Sequence, residues 1–251
     1  MKILLTNDDG YFAGGILSLA EKLHKAGHEV IVCAPEGEKS GAGHSITFVN
    51  DFFYRSHELI EGVKIYSLNG TPVDCVRFAV KVLCPDADAV LSGINNILNI
   101  GTDYLYSGTV NGAIEGALCG KKSLAVSTNS FDGDYEFPSK FTVDNLEKLL
   151  EYANENLIIN LNIPFNKKEL NAGISVCHAG FREYNDNYVP VAEGGEGKVY
   201  RLVGECPSME RSKLSNDASM SDKGFITITP VVCYFSDDLV VRSLSKEKFV
   251  L

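Results

Sequence analysis

The sequence predicts an α/β fold, a doubly wound and mostly parallel sheet. Two observations carry that prediction. Short apolar runs that read as buried strands alternate with segments of helical periodicity through residue 130. The first such unit, strand–loop–helix–strand within residues 3–34, is a βαβ signature. Size agrees: 251 residues at 45% hydrophobic composition suit one large domain, or a core with an appendage.

Ile3–Leu5 is the first strand. Gly15–Ala26 places Ile16, Leu19, Ala20 and Leu23 at helical spacing, and Gly27 closes the helix. Glu29–Ala34 is the second buried strand, ended by Pro35, and Glu36–Ser45 is a Gly/Ser loop. Ile46–Val49 and Val63–Leu68 are expected strands of a side hairpin. Thr71-Pro72 reads as an N-cap and first-turn proline, opening a helix that runs to Leu83 and stops at Pro85. Ala87–Leu91 is a further core strand. The polar stretch Ser92–Gly108 is long for a loop in a compact domain, which points to function. Thr109–Leu118 is a small-residue helix ending at Gly120, followed by the strand Ser123–Ser127. Val143–Asn156 is amphipathic, with Leu146, Leu149, Leu150 and Ala153 on one face. Leu157–Ile163 and Gly173–Cys177 are expected strands. Beyond about residue 180 the chain turns Gly- and charge-rich, as in Gly194-Gly195-Glu196-Gly197, and offers one clear strand, Phe225–Thr229.

The net charge of −10 argues against a nucleic-acid groove or an anionic membrane as partner. It leaves room for a small phosphorylated substrate, because a bound metal reverses the local sign. The seven cysteines, Cys33, Cys75, Cys84, Cys119, Cys177, Cys206 and Cys233, are scattered without a C-x-x-C pair. They read as reduced core residues rather than disulfides or zinc ligands. The N-terminal apolar run stops at Leu5 and no window approaches a membrane span, so a soluble, cytoplasmic protein is expected.

Four polar loops follow core strands or open helices. In Asn7-Asp8-Asp9-Gly10 two adjacent carboxylates end an apolar strand. Like charges about 4 Å apart repel by about 4 kcal/mol at an effective dielectric of about 20. A divalent cation held by oxygen ligands is the simplest way to offset that. Asp is also a favoured helix N-cap, which explains one such residue less awkwardly than two. In Glu38–Ser45, Gly41 and Gly43 free the backbone to present N–H groups to an anion. Ser40 offers a hydroxyl ligand there, and His44 a proton or phosphate contact, although a lone His is as often structural. Ser92-Gly93-Ile94-Asn95 supplies the carbonyl oxygen of Asn95, and the stretch extends to Asn99, Gly101 and Asp103. Tyr106-Ser107-Gly108-Thr109-Val110 opens a helix whose free N–H groups make an anion site, or an ordinary Ser/Thr cap. Together these loops hold the inventory for metal-assisted phosphate ester hydrolysis, with Asp8 and Asp9 as catalytic candidates and Asn7 beside them.

The motifs Leu4–Gly10, Ser40–Thr47, Gly70–Val76, Ser92–Asn95, Tyr106–Val110 and Glu115-Gly116 resemble the SurE family of metal-dependent 5′-nucleotidases, also called survival-protein-E nucleotidases. Leu161–Pro164 and Gly224–Pro230 look like the family's later landmarks, in the same order. The resemblance implies a Rossmann-like catalytic core over residues 1–180. It implies a C-terminal β-rich oligomerisation extension, residues 181–251, that belongs to the same domain and exchanges between subunits in a homodimer or tetramer. It implies hydrolysis of nucleoside 5′-monophosphates, sometimes 3′-nucleotides or short polyphosphate. One Mg²⁺ or Mn²⁺ per subunit would be held by residues matching Asp8, Asp9, Ser40 and Asn95, polarising a phosphoryl oxygen and activating a water. Asn99 and Ser107-Gly108-Thr109 match positions lining the phosphate site. Three features depart from the family pattern: Ile97 stands where glycine is usual, Asn111 where a small residue is preferred, and the aromatic-rich strand expected near residue 200 carries Val199-Tyr200-Arg201-Leu202, with no tryptophan in the chain.

Two other enzyme or binding classes fit less well. A covalent aspartyl-phosphate route uses Asp-x-Asp spacing, which the adjacent pair lacks. A dinucleotide site needs G-x-G-x-x-G after the first strand, whereas Gly10, Gly14 and Gly15 have the wrong spacing. A degenerate family member that binds nucleotide with little catalysis is the alternative kept beside the nucleotidase reading. A β-rich segment such as Phe225–Thr229 cannot bury both faces alone, and exchange with a second subunit would cover it.

Overall fold

The computed structural model describes residues 1–130, 132–182, 184–194, 197–205, 215–233 and 238–246. Its centre is a parallel sheet made from the apolar runs. The strands are β1 (Lys2–Thr6), β2 (Glu29–Pro35), β3 (Tyr54–His57), β4 (Lys64–Leu68), β5 (Ala89–Asn95), β6 (Lys122–Thr128), β7 (Leu157–Ile163), β8 (Gly173–Val176) and β11 (Phe225–Val232). They run in the order β3-β4-β2-β1-β5-β6-β7-β11-β8. The six from β4 to β7 are mutually parallel, and antiparallel pairs join β3 to β4 and β11 to β7. β9 (Asn185–Gly194) and β10 (Gly197–Glu205) form a separate two-stranded ribbon.

Helices cover both faces, as the continuous apolar strands require. α1 (Gly14–Lys25) and α4 (Glu136–Leu150) bury Ile16, Leu19, Leu23, Leu146 and Leu150 against Ile3, Leu5, Val32, Leu91 and Leu124. On the other face, α2 (Pro72–Phe78) packs Cys75 and Val76 on Leu4, Ile31 and Val90. α3 (Gly108–Leu118) packs Val110, Ala113 and Ala117 on Ala125 and Ile158. Two short helices, α5 (Asp217–Asp222) and α6 (Asp238–Leu244), follow in the C-terminal part. The sheet turns outward in both directions from the β1–β5 pair. Ligands in such sheets bind beyond the carboxyl ends of the strands at that switch point, and there the Asp8 and Asn95 loops emerge.

Several expectations are corrected. Ile46–Val49 is not a strand: Thr47 gives its N–H and hydroxyl to the Asp74 carboxylate, while Phe48 and Val49 lie exposed. The antiparallel partner of β4 is instead β3. The second helix keeps the Thr71 cap and a capping box with Asp74, then widens into a π-helical turn, Ala79–Leu83. Part of Ser92–Gly108 is ordered structure: β5 runs on to Asn95, and Gly101–Leu105 is a 3₁₀ turn. α4 starts seven residues before Val143, since Pro138 falls in its first turn, where proline is tolerated, and it ends at Leu150, before Asn156. β11 continues through Pro230, which lies beyond the β8 pairing, so its missing N–H breaks no ladder. The expected need of Phe225–Thr229 for a second subunit is not met. β11 lies between β7 and β8 of its own chain, with Ile226, Thr227 and Thr229 buried. Of the β9–β10 ribbon only the strand near residue 200 was expected, from the family resemblance; its described residues are mostly exposed and give no core periodicity. Cys33, Cys75, Cys84, Cys177 and Cys233 are buried free thiols, Cys119 is half-buried, and Cys206 lies outside the described residues. Among the described residues no helix is long and apolar enough to cross a membrane.

Candidate active site

The site begins where α3 meets β1. Gly108, Gly112 and Gly116 form a stripe at four-residue spacing along α3. A Cβ on each would fall 2.8 Å from Asp8 Cβ, 3.0 Å from Ser92 Oγ and 2.5 Å from Ser123 Oγ respectively. The helix therefore lies against the sheet at a distance only glycine allows. That contact brings the N-terminus of α3 to Asp8. Thr109 donates its N–H to Asp8 Oδ2 (3.2 Å) and its hydroxyl to Asp8 Oδ1 (2.5 Å). Ser107 caps the same helix by accepting from Val110 N–H (3.0 Å). Burial pushes the Asp8 carboxyl up, and the bonds from Thr109 and its neighbours pull it back. Asn7 ties the loop by bonding both the carbonyl and the N–H of Gly10 (2.9 and 3.1 Å).

Asp9 stands beside Asp8 with its carboxyl raised to about 6 by burial first, then by the charges of Asp8 and Glu38. Lys39 N–H donates to the Asp8 carbonyl (2.7 Å), which sets the Glu38–Ser45 loop over the strand end. Ser40 sits exposed on that loop and donates to Glu38 Oε1 (2.8 Å). Asn95 Nδ2 donates to Ile97 O (2.7 Å), so the amide nitrogen is committed and Oδ1 remains an acceptor. The Ile97 backbone thus orients Asn95, and its exposed side chain lines the cleft.

Asp8, Asp9, Ser40 and Asn95 all line one open cleft of about 530 Å³. Gly41, Asn99 and Ser107 line it too. Asn99 is fixed from three sides. Its N–H and carbonyl bond the Asn162 amide, its carbonyl also accepts from Asn160, and its own amide donates to Ser127. Asn7, His44, Gly108 and Thr109 are not in the lining. Asn7 and Thr109 are fully buried and act on the loop and on Asp8. His44 faces away from the cleft, with Nδ1 on Asn111 Oδ1 and Nε2 on Glu115 Oε2 (both 2.9 Å). Its expected phosphate contact is therefore corrected: both ring nitrogens are already engaged.

Sequence reasoning missed Glu38, Asn96, Leu98, Tyr106, Arg182 and Tyr184 as lining residues. Arg182 donates to Asp103 Oδ2 (2.7 Å), and the Tyr184 hydroxyl bonds Asp103 Oδ1. Both come from the C-terminal part, where no local pattern marks them. Among the described residues, the cleft lining carries four carboxylates (Asp8, Asp9, Glu38, Asp103) and one cation, Arg182.

A hard divalent cation fits this chemistry. The converging donors are two carboxylates, a hydroxyl and an amide oxygen. Among the described residues no cluster of three or more His, Cys, Asp or Glu forms, so a nitrogen- or sulfur-rich zinc centre is not built here. None of the ion pairs among the described residues neutralises Asp8 or Asp9.

A Rossmann-like sheet with an acidic cleft at its switch point, where the candidate ligands are all oxygen donors, defines a metal-assisted phosphoester hydrolase class. The family model for survival protein SurE matches residues 3–186. A 5′-nucleotidase SurE from Caldanaerobacter subterraneus subsp. tengcongensis is 40% identical, over 98% of this chain and 97% of its own. One from Clostridium botulinum (strain Eklund 17B / Type B) is 41% identical, over 98% and 99%. The crystal structure of the SurE protein from Aquifex aeolicus superposes with a TM-score of 0.82 at 33% identity, covering 98% of each chain. The chain belongs to the SurE family.

Proposed function

We propose that this chain hydrolyses nucleoside 5′-monophosphates to nucleoside and phosphate, using one Mg²⁺ or Mn²⁺ per subunit held by Asp8, Asp9, Ser40 and Asn95. Family membership supports the reaction class: the relatives just described are named 5′-nucleotidases. The observation that carries the site is the pairing of buried Asp8 with Asp9 at a strand end, with no ion pair among the described residues set against them. Such an ion, when bound, supplies Lewis-acid polarisation of a phosphoryl oxygen and a water of lowered pKa.

The chain's own residues do the rest. Thr109 holds the Asp8 carboxylate by two bonds, so both oxygens keep one orientation. Asp9, less buried, is the better placed of the pair to accept a proton from an attacking water. Gly41, with its backbone N–H, and Ser107, with its hydroxyl, line two sides of the cleft and offer donors to the phosphoryl oxygens, where charge collects in the transition state. Tyr106, Tyr184 and Ile97 give the cleft an exposed apolar rim suited to a nucleoside. 3′-Nucleotides and short polyphosphate share the same reacting group and are secondary substrates in this reading.

The protein acts in the cytoplasm as a homodimer or tetramer assembled through residues 181–251. Exposed Tyr188, Val199, Tyr200 and Leu202 on the β9–β10 ribbon support that assembly. The deciding experiment is phosphate release from a panel of nucleoside monophosphates with Mn²⁺, Mg²⁺ or EDTA, for wild type and Asp8→Asn. Metal-dependent release by wild type and background release by a folded Asp8→Asn are expected. Wild-type turnover by that variant, or release that EDTA leaves unchanged, overturns the reading. Nucleotide binding without release would establish the binding-only alternative instead.

A further inference from the structure

We propose that His44, pinned as an imidazolium between Asn111 and Glu115, is a positioning residue that locks the Glu38–Ser45 loop, and with it Ser40, onto the helix that holds Asp8. The protonation state follows from geometry. Asn111 Nδ2 donates to the carbonyls of Tyr104 and Ser107 (both 2.8 Å), which fixes Oδ1 as the atom facing His44 Nδ1. An amide oxygen only accepts, so Nδ1 carries a proton. Glu115 Oε2 faces Nε2, and a carboxylate also accepts, so Nε2 carries one as well. Only the imidazolium donates to both.

The groups facing His44 are Asn111 and Glu115 on α3 and Arg77 on α2. Arg77 occupies the other Glu115 oxygen (2.8 Å), and Glu115 is 2% exposed. Hydrogen bonding to Glu115 raises the imidazole above its ordinary value, with partial burial opposing. The pin is therefore complete below that raised pKa and lost as pH rises through it.

Elsewhere the loop is held by Lys39 N–H on the Asp8 carbonyl and by the Thr71 hydroxyl on the Ser45 carbonyl (both 2.7 Å). Its outer residues Glu38–Gly41 are exposed, and its links to the α3 side are Gly43 N–H on the Tyr106 carbonyl (3.0 Å) and His44. Asn111 bonds the Ser107 carbonyl at the turn whose next two residues touch Asp8. The Ser40 loop and the Asp8 helix start are thus joined by the His44 side chain together with the Gly43 backbone bond. This inference rests on the reading that Ser40 is a metal ligand.

The test titrates His44 in wild-type protein by NMR and measures Mn²⁺ dissociation constants by EPR for wild type, Asn111→Ala, His44→Gln and Ser40→Ala. His44 should be charged through neutral pH. Asn111→Ala and His44→Gln should each weaken Mn²⁺ binding about 10- to 100-fold, the usual cost of losing a ligand's support. Wild-type Mn²⁺ affinity should fall in step with His44 deprotonation, and His44→Gln should lack that step. Amide exchange at Lys39–Ser45 in metal-free protein should quicken in both variants. A neutral His44 at pH 7 overturns the proposal without any variant having to fold. Mn²⁺ affinity lost in Ser40→Ala but unchanged in folded His44→Gln also overturns it. An affinity unchanged in Ser40→Ala overturns the ligand reading instead.

Discussion

Thr109 grips both oxygens of Asp8, its N–H on one and its hydroxyl on the other. The helix start thus presents a carboxylate with fixed orientation, at the positive end of the α3 dipole. Thr109→Val keeps the shape and the N–H bond and deletes the hydroxyl. Asp8 then loses the strongest of the bonds opposing its burial, so its ionised form becomes harder to hold. Mn²⁺ affinity should drop about 10- to 100-fold while the fold persists. Titration calorimetry on the metal-free protein checks this, and unchanged affinity would count against Asp8 as a ligand.

Gly108→Ala separates packing from propensity. Alanine favours a helix by about 1 kcal/mol over glycine. Its methyl, however, would sit 2.8 Å from Asp8 Cβ and 3.1 Å from Pro72 Cγ. Overpacking of that kind costs about 1–3 kcal/mol, so the clash wins. Because the displaced atom is Asp8, kcat/KM should fall further than urea unfolding reports for stability. Equal losses in both would mean that Asp8 does not need its present position.

The part of the site legible in the sequence is the part built from local chemistry. Asp8, Asp9, Ser40 and Asn95 each follow a strand whose apolar run announces it, and all four reach one cleft. His44 looked the same on paper; its partners Asn111 and Glu115 lie 67 and 71 residues away, so no local pattern showed that both ring nitrogens were taken. Arg182 and Tyr184 meet Asp103 across 79 and 81 residues, from a stretch without core periodicity. The parallel strands were readable because they are buried on both faces. β9 and β10 were not readable from such a pattern, because exposed residues dominate their described faces.

Metal removal should expose the repulsion between the paired carboxylates as a pH effect. In the folded metal-free chain Asp9 rises from 3.8 to about 6, through burial and then the charges of Asp8 and Glu38. The folded state therefore holds this proton more tightly than the unfolded state does. Its contribution to stability declines as pH climbs from about 4 to about 6 and is level above that. Asp9→Asn removes the titrating group at nearly constant shape. In EDTA the variant should match wild type near pH 4 and melt higher above pH 6. Saturating Mn²⁺, which binds the ionised pair, should reverse that order. Melting curves that keep one order in both conditions would remove the ion from between Asp8 and Asp9.

Asp217 links the C-terminal part to the cleft wall. Its Oδ2 accepts from Gly101 N–H (3.1 Å) and the Tyr104 hydroxyl, and its Oδ1 from Gly180 N–H (2.7 Å) and Ala218 N–H (2.8 Å). Four donors on a fully buried carboxylate tie the Gly101–Leu105 turn to the segment that delivers Arg182. Thr102 reinforces the seam, its hydroxyl bonding both the carbonyl and the N–H of Arg182 (2.7 and 3.2 Å). Asp217→Asn turns one oxygen into an NH₂ that must face a pair of donors. The buried mismatch costs about 1–3 kcal/mol, readable by urea unfolding. Loosening the seam frees Asp103 and Arg182 together, whereas the Asp8–Thr109 contact stays intact. KM for a nucleoside monophosphate should therefore rise in Asp217→Asn with kcat and Mn²⁺ affinity largely kept. A fall in kcat or Mn²⁺ affinity with KM unchanged would place Asp217 with the reacting centre rather than with the cleft wall.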